Sequence, residues 1–149
     1  MSDKFVAITG CGLWGRNLVR NFYNLNVLEM VCDLDNDNIA KIREMYPELK
    51  ITKDFNDIIN NKEITSVAVV TPSHTHFKMV KAMLEAGKNV YVEKPISTVA
   101  QEAKDLKEYN SLADAAYLRA KEDYLIGINF SRLLSIIYGN RLARTLNQD

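Results

Sequence analysis

Short apolar runs and amphipathic stretches alternate along this chain, and their alternation predicts its elements. Residues 4–9 contain Phe5-Val6-Ala7-Ile8, a near-continuous apolar run that reads as a strand covered on both faces. The pattern breaks at Gly10 and resumes at helical spacing with Leu18, Val19, Phe22 and Leu25. Residues 27–32 predict a second strand. Asp35 or Asn36 is placed to cap the next helix, whose apolar positions Ile39, Ile42 and Met45 repeat every three and which Pro47 ends. A short strand at 50–52 and a helical turn at 54–59 follow. Residues 66–71, Ser-Val-Ala-Val-Val-Thr, predict another buried strand. Beyond it lies a helix with Phe77, Val80 and Leu84 inward, and Gly87 sits where a C′ glycine belongs. Residues 89–92 predict a fifth strand. Residues 98–119 predict a longer helix with Val99, Ala103 and Leu106 inward and a break at Asn110-Ser111, and residues 124–129 predict a sixth strand.

Strands alternating with helices predict an α/β fold with a doubly wound parallel sheet, the Rossmann dinucleotide-binding arrangement, in the strand order 3-2-1-4-5-6. Residues 1–130 form the expected domain. Residues 131–149 form a tail with Leu133, Ile137 and Leu142 at loose helical spacing and Arg132, Arg141 and Arg144 between them. This tail is expected to fold back beyond the sixth strand or to pair with a second copy, giving a homo-oligomer through the tail or the sheet edge.

The junction of the first strand and helix reads Gly10-Cys11-Gly12-Leu13-Trp14-Gly15, a G-x-G-x-x-G turn. Gly10 permits the tight turn, Gly12 lets a pyrophosphate approach the backbone, and Gly15 lets helix and strand pack closely. Free amides and the positive end of the helix dipole then face the phosphates. Trp14 either covers the helix start or contacts the dinucleotide, beside Leu13. Asp33 lies after the second strand at the spacing, about 20 residues past the turn, where a carboxylate accepts from both adenosine ribose hydroxyls. A carboxylate there repels a 2′-phosphate, so NAD is favoured over NADP. The bland reading of Asp33 is a solvated turn former.

Other unusual loops fall at the carboxyl ends of strands, where open parallel sheets bind ligands. Thr71-Pro72-Ser73-His74-Thr75-His76 follows the fourth strand and Glu93-Lys94-Pro95 the fifth. Proline restricts the backbone of Lys94, and a lysine fixed in a partly dry cleft can exchange a proton with a substrate hydroxyl. A lysine before a proline is ordinarily just solvated. His74 and His76, two residues apart and without a carboxylate cluster, do not have the spacing of a helical metal pair, and no metal site is expected.

The chain has 149 residues, 47% of them hydrophobic and 26% charged, which suits one soluble domain with a real core. Its formal net charge of zero gives no argument for nucleic acid or for an anionic membrane. Cys11 and Cys32 lie at strand ends outside any C-x-x-C pattern and read as reduced thiols. No basic-then-apolar leader opens the chain and no apolar run is long enough to span a bilayer, so the cytoplasm is the expected compartment.

Taken together, G-C-G-L-W-G-R-N, V-C-D, T-P-S-H-T-H-F and V-Y-V-E-K-P resemble the glucose–fructose oxidoreductase / inositol 2-dehydrogenase family of NAD(P)-dependent sugar dehydrogenases. The resemblance runs from residue 4 to about 129, and the first stretch looks most like the nucleotide-sugar 3-dehydrogenases. It implies that Lys94 is the catalytic lysine, that Thr71, Pro72 and His76 line the nicotinamide side, and that Glu93 helps to hold the cofactor. Members of that family continue into a second α/β domain carrying substrate contacts and a catalytic histidine. Here Gly127-Ile128 stands where a Gly-His pair is common, and no histidine follows His76. The expectation is a cofactor domain without its substrate half. Three readings compete: a sugar or nucleotide-sugar dehydrogenase (or its cofactor-binding part) with Lys94 as proton relay, a non-catalytic NAD-binding or interaction module derived from one, and a remnant that folds but binds nothing well.

Overall fold

The computed structural model describes residues 4–112. Five parallel strands, β1 (Val6–Thr9), β2 (Leu28–Cys32), β3 (Lys50–Thr52), β4 (Ser66–Val69) and β5 (Asn89–Val92), lie in the order β3-β2-β1-β4-β5. They are joined by α1 (Gly15–Asn24), α2 (Asn36–Met45), α3 (Phe55–Asn60), α4 (His76–Glu85) and α5 (Ala100–Leu112), with a single 3₁₀ turn, Ser73–Thr75, before α4. The chain winds outward from β1 to β3 and then returns to the other side of β1 as β4. That reversal creates a crevice at the carboxyl ends of β1 and β4, the place where such sheets take ligands. The expected sixth strand and the 131–149 tail lie outside the described residues.

The sheet is buried on both faces because its side chains alternate into two cores. Val6 and Ile8 of β1 join Leu18, Val19 and Phe22 of α1 and Ile42 of α2 in the first. Ala7 joins Val67, Val69, Ile58 of α3, Val80 and Met83 of α4, and Leu106 of α5 in the second. Both central strands, β1 and β4, are buried throughout, which explains their near-continuous apolar sequences. Each large side chain buried this way contributes about 1.5–3 kcal/mol of transfer free energy.

Local chemistry sets the element ends. Asp35 resolves the capping choice for α2: its side chain accepts from the amides of Asp37 at 2.7 Å and Asn38 at 3.2 Å. Asp54 caps α3 through the Asn56 amide. α4 ends as expected on Gly87 in the left-handed region, with Gly87 and Lys88 amides returning to the carbonyls of Leu84 and Met83. Asn26 ends α1 in the same way. At the far end of the sheet from the crevice, buried Lys88 donates to the carbonyls of Asn61 and Ile64, and desolvation lowers its pKa.

Two expectations about the helices are corrected. Val99 was expected inward but is 49% exposed, because it precedes α5; among the described side chains of that helix, Leu106 is the one in the core. Met45, the last of the repeating apolar positions of α2, is exposed at the end of that helix. α5 also continues through Asn110-Ser111. Neither residue forbids a helix; each is only a weaker helix former.

Candidate functional site

The glycine turn is shaped by what its neighbours leave room for. Gly10 has φ +87°, and a Cβ there would stand 2.6 Å from the Val70 carbonyl oxygen. A Cβ on Gly15 would approach the Gly10 carbonyl oxygen to 2.1 Å. These two glycines therefore close the turn against β4 and against α1. Gly12 differs, since a Cβ there would meet nothing within 4 Å. Nothing structural requires a glycine at that position; the backbone is simply left uncovered. α1 starts without a side-chain cap or an acidic residue in its first turn, and no hydrogen bond ties the amides of Gly12, Leu13 and Trp14 to the described residues. Uncovered amides at the positive end of a helix fit a phosphate.

Asp33 stands beside that turn at the end of β2. Its Oδ2 accepts from the Cys11 amide at 2.6 Å and its Oδ1 from the Asp35 amide at 2.8 Å, with Asn38 Nδ2 at 3.4 Å from Oδ2. Oδ1, with one donor, keeps acceptor capacity for a further hydroxyl. Burial opposes ionisation, but the amides of Cys11 and Asp35, aided by the Cys11 thiol and Asn38, outweigh it and hold the carboxyl below its usual range. A depressed folded-state pKa means that this carboxylate stabilises the fold above its unfolded pKa of about 3.9 and loses that contribution as pH falls through the lower folded value. The Asp33→Asn variant should therefore be less stable than the parent at pH 7, with the gap closing below about pH 4 in urea melts at stepped pH. A gap that is constant with pH contradicts this.

The two thiols flanking Asp33 are inert. Burial, together with the Asp33 hydrogen bond, pushes the Cys11 thiol far up. Burial and the charges of Asp33, Asp54 and Asp57 push Cys32 to about 11. Both remain free, protonated and buried at neutral pH, so neither is a nucleophile.

A second set of contacts joins the glycine turn to the loop after β5. Trp14, 56% exposed, donates its indole N–H to Glu93 Oε1 at 2.9 Å, and the same oxygen accepts from the Tyr91 hydroxyl. Burial and this bond keep the Tyr91 phenol protonated well above its usual range. Glu93 thus ties the turn to the strand end from which Lys94 projects, exposed. His76, 1% exposed, is placed differently from the other candidates. Its Nδ1 lies 2.7 Å from the Pro95 carbonyl oxygen and its Nε2 2.7 Å from that of Thr71. The imidazole bridges the loops after β4 and β5 and does not open onto the crevice. Its replacement by Phe removes the ring N–H donated to one of these buried carbonyls and should cost about 1–3 kcal/mol in chemical denaturation, whereas a merely space-filling ring would lose under ~1 kcal/mol.

A cavity of about 650 Å³ occupies the crevice, lined among others by Gly10, Gly12, Asp33, Thr71 and Pro72. Residues from the ends of β1, β2 and β4 therefore meet in one space. Leu13, Trp14, Gly15, His76, Glu93 and Lys94 do not line it. Leu13 is exposed on the turn and Gly15 packs behind it; Trp14 and Glu93 form the second set of contacts, His76 bridges the loops after β4 and β5, and Lys94 is exposed. The sequence reading did not single out Asn38, Lys53, Phe55 or Met79, which also line the cavity. Lys53 and Phe55 follow β3, whose pairing with β2 brings them alongside Asp33, and that register is not visible in a three-residue strand. Thr71 and Thr75 share a hydroxyl contact of 2.6 Å, and Thr75 also donates to the Pro72 carbonyl, which folds the loop after β4 over the cavity.

This crevice, with its uncovered glycine turn and strand-end carboxylate, is the arrangement of a dinucleotide-binding oxidoreductase domain. The chain belongs to the oxidoreductase family with an NAD-binding Rossmann fold, whose profile matches residues 4–117. It is similar to the scyllo-inositol 2-dehydrogenase (NADP(+)) IolW of Bacillus subtilis, 31% identical over 104 residues, which are 68% of this chain and 28% of that protein. It is also similar to the inositol 2-dehydrogenase of Rhodococcus erythropolis, 33% identical over 101 residues, covering 66% of this chain and 29% of that one. Among solved structures, GenD2 from gentamicin A biosynthesis in complex with NAD superposes with a TM-score of 0.68 at 23% identity, covering 76% of this chain and 33% of that one, which shows the shared fold. The chain thus spans less than a third of the length of these relatives. Among the described residues, no helix is long and apolar enough to cross a membrane.

Proposed function

We propose that this chain is the cofactor-binding part of an NAD-dependent dehydrogenase acting on a sugar, a nucleotide-sugar or a cyclic polyol. The observation that carries this reading is the meeting, in one cavity, of the uncovered Gly12 backbone, the Asp33 carboxylate and the Thr71-Pro72 loop from three strand ends. On this reading the turn from Gly10 to Gly15, with Leu13 and Trp14 on its outer side, holds the pyrophosphate. Asp33 accepts from the ribose hydroxyls, and Thr71 and Pro72 wall the nicotinamide side. His76 acts from behind by fixing the loops, and Glu93 by clasping Trp14. The cofactor supplies a hydride acceptor or donor at nicotinamide C4. Lys94 passes a proton to or from the sugar hydroxyl. The free, buried thiols fit a reducing compartment, the cytoplasm. The exposure of Lys94 outside the cavity favours a second reading, a non-catalytic NAD-binding or interaction module that keeps the cofactor cleft.

The test uses Trp14, the chain's one tryptophan, as a reporter beside the cleft. Titration with NADH should change its emission saturably, with NADH bound more tightly than NADPH, and Asp33→Ala should narrow that preference. Equal or reversed affinities in the parent chain overturn the role given to Asp33.

A further inference from the structure

The cavity holds a cation as well as the Asp33 carboxylate. β2 and β3 pair in parallel with Cys32 opposite Thr52, and the Asp33 amide donates to the Thr52 carbonyl at 3.2 Å. The next residue on each chain is Asp33 on one and Lys53 on the other, and both line the cavity. Lys53 is the single lysine or arginine among the described residues that line it. Its ammonium forms no ion pair with Asp33. It donates instead to Asn36 Oδ1, at the first residue of α2. The acidic groups nearby are engaged elsewhere: Asp54 caps α3, Asp57 accepts from the Thr52 hydroxyl, and Asp35 caps α2. The cation is therefore held at the ribose end of the cleft by a neutral amide and keeps two of its three donors.

We propose that Lys53 is a second determinant of cofactor choice, opposing Asp33, so that the adenosine end also accepts a dinucleotide carrying a 2′-phosphate. This rests on the dinucleotide reading above and deepens it. A carboxylate alone at this position excludes a 2′-phosphate by like-charge repulsion. An ammonium on the adjacent strand end supplies the opposite charge and hydrogen-bond donors. The ribose diol of NAD carries no charge at that point, so Lys53 acts on the phosphorylated cofactor and leaves the other nearly unaffected. Cofactor preference at this site is then the difference between two opposed side chains, and the carboxylate alone overstates it.

Calorimetric titration of NADH and NADPH into the full chain and into Lys53→Ala, Lys53→Glu and Lys53→Arg variants tests this. In Lys53→Ala, NADPH affinity should fall about tenfold while NADH affinity changes less than about twofold. Lys53→Glu should widen the preference for NADH further, and Lys53→Arg should restore the parent ratio. NADH binding serves as the control for folding in every variant. A parent chain that binds NADH, with an NADH/NADPH ratio unchanged in Lys53→Ala and Lys53→Glu, overturns the role of Lys53 alone. A folded parent chain that binds neither cofactor overturns the dinucleotide reading and this assignment with it.

Discussion

Replacing Gly12 with valine should leave the chain folded and remove its affinity for NADH. A Cβ at Gly12 meets nothing within 4 Å, so the substitution creates no clash inside the protein. The new side chain stands over the uncovered turn, where a pyrophosphate must approach the backbone closely. NADH affinity should fall about a hundredfold or more, a loss of roughly 3 kcal/mol, with little change in melting temperature. Gly15→Ala should behave in the opposite manner. Its Cβ would lie 2.1 Å from a backbone oxygen that has no flexible end to move away. Loss of stability by about 3 kcal/mol or more is expected, visible as a lower thermal midpoint by circular dichroism before any ligand is added. If Gly12→Val melts early, or binds NADH as the parent does, the turn does not have the role given to it here.

The second large effect concerns turnover. Tested by itself, this 149-residue polypeptide should bind dinucleotide yet oxidise no UDP-sugar, inositol or simple aldose. Hydride transfer requires a sugar carbon held near the nicotinamide, and such positioning is worth about 7–11 kcal/mol of barrier. Among the described residues, Lys94 is exposed and does not line the cavity. Following NADH absorbance across a substrate screen is the direct check, with Lys94→Ala alongside. Turnover that disappears in Lys94→Ala would show that a neighbouring subunit completes the site.

Much of this was legible in the sequence because it depends on neighbouring residues. The Gly10–Gly15 turn, the Asp33 spacing and the buried character of β1 and β4 are local patterns. The strand order β3-β2-β1-β4-β5 follows from the alternation of elements together with a phosphate-type turn after the first strand. What was not legible depends on pairs distant in sequence. Trp14 and Glu93 are 79 residues apart and meet only because β5 lies two strands from β1. Lys53 reaches the Asp33 cavity only through the register of β3 on β2. His76 carries the same ambiguity. A histidine in a loop after a strand reads equally as a ligand contact or a brace, and only the carbonyls of Thr71 and Pro95 decide for the brace.

The central claim is that one face of this domain, the crevice at the carboxyl ends of its strands, takes a dinucleotide. Amide chemical-shift changes in the isotope-labelled full chain on titration with NADH test it most directly. The largest changes should fall on residues 10–15, on Asp33 and its neighbours, and on Thr71 to Thr75. The far end of the sheet around Lys88 and Asn61 should stay still. Shifts centred on that far end, or none at saturating NADH, would contradict the account.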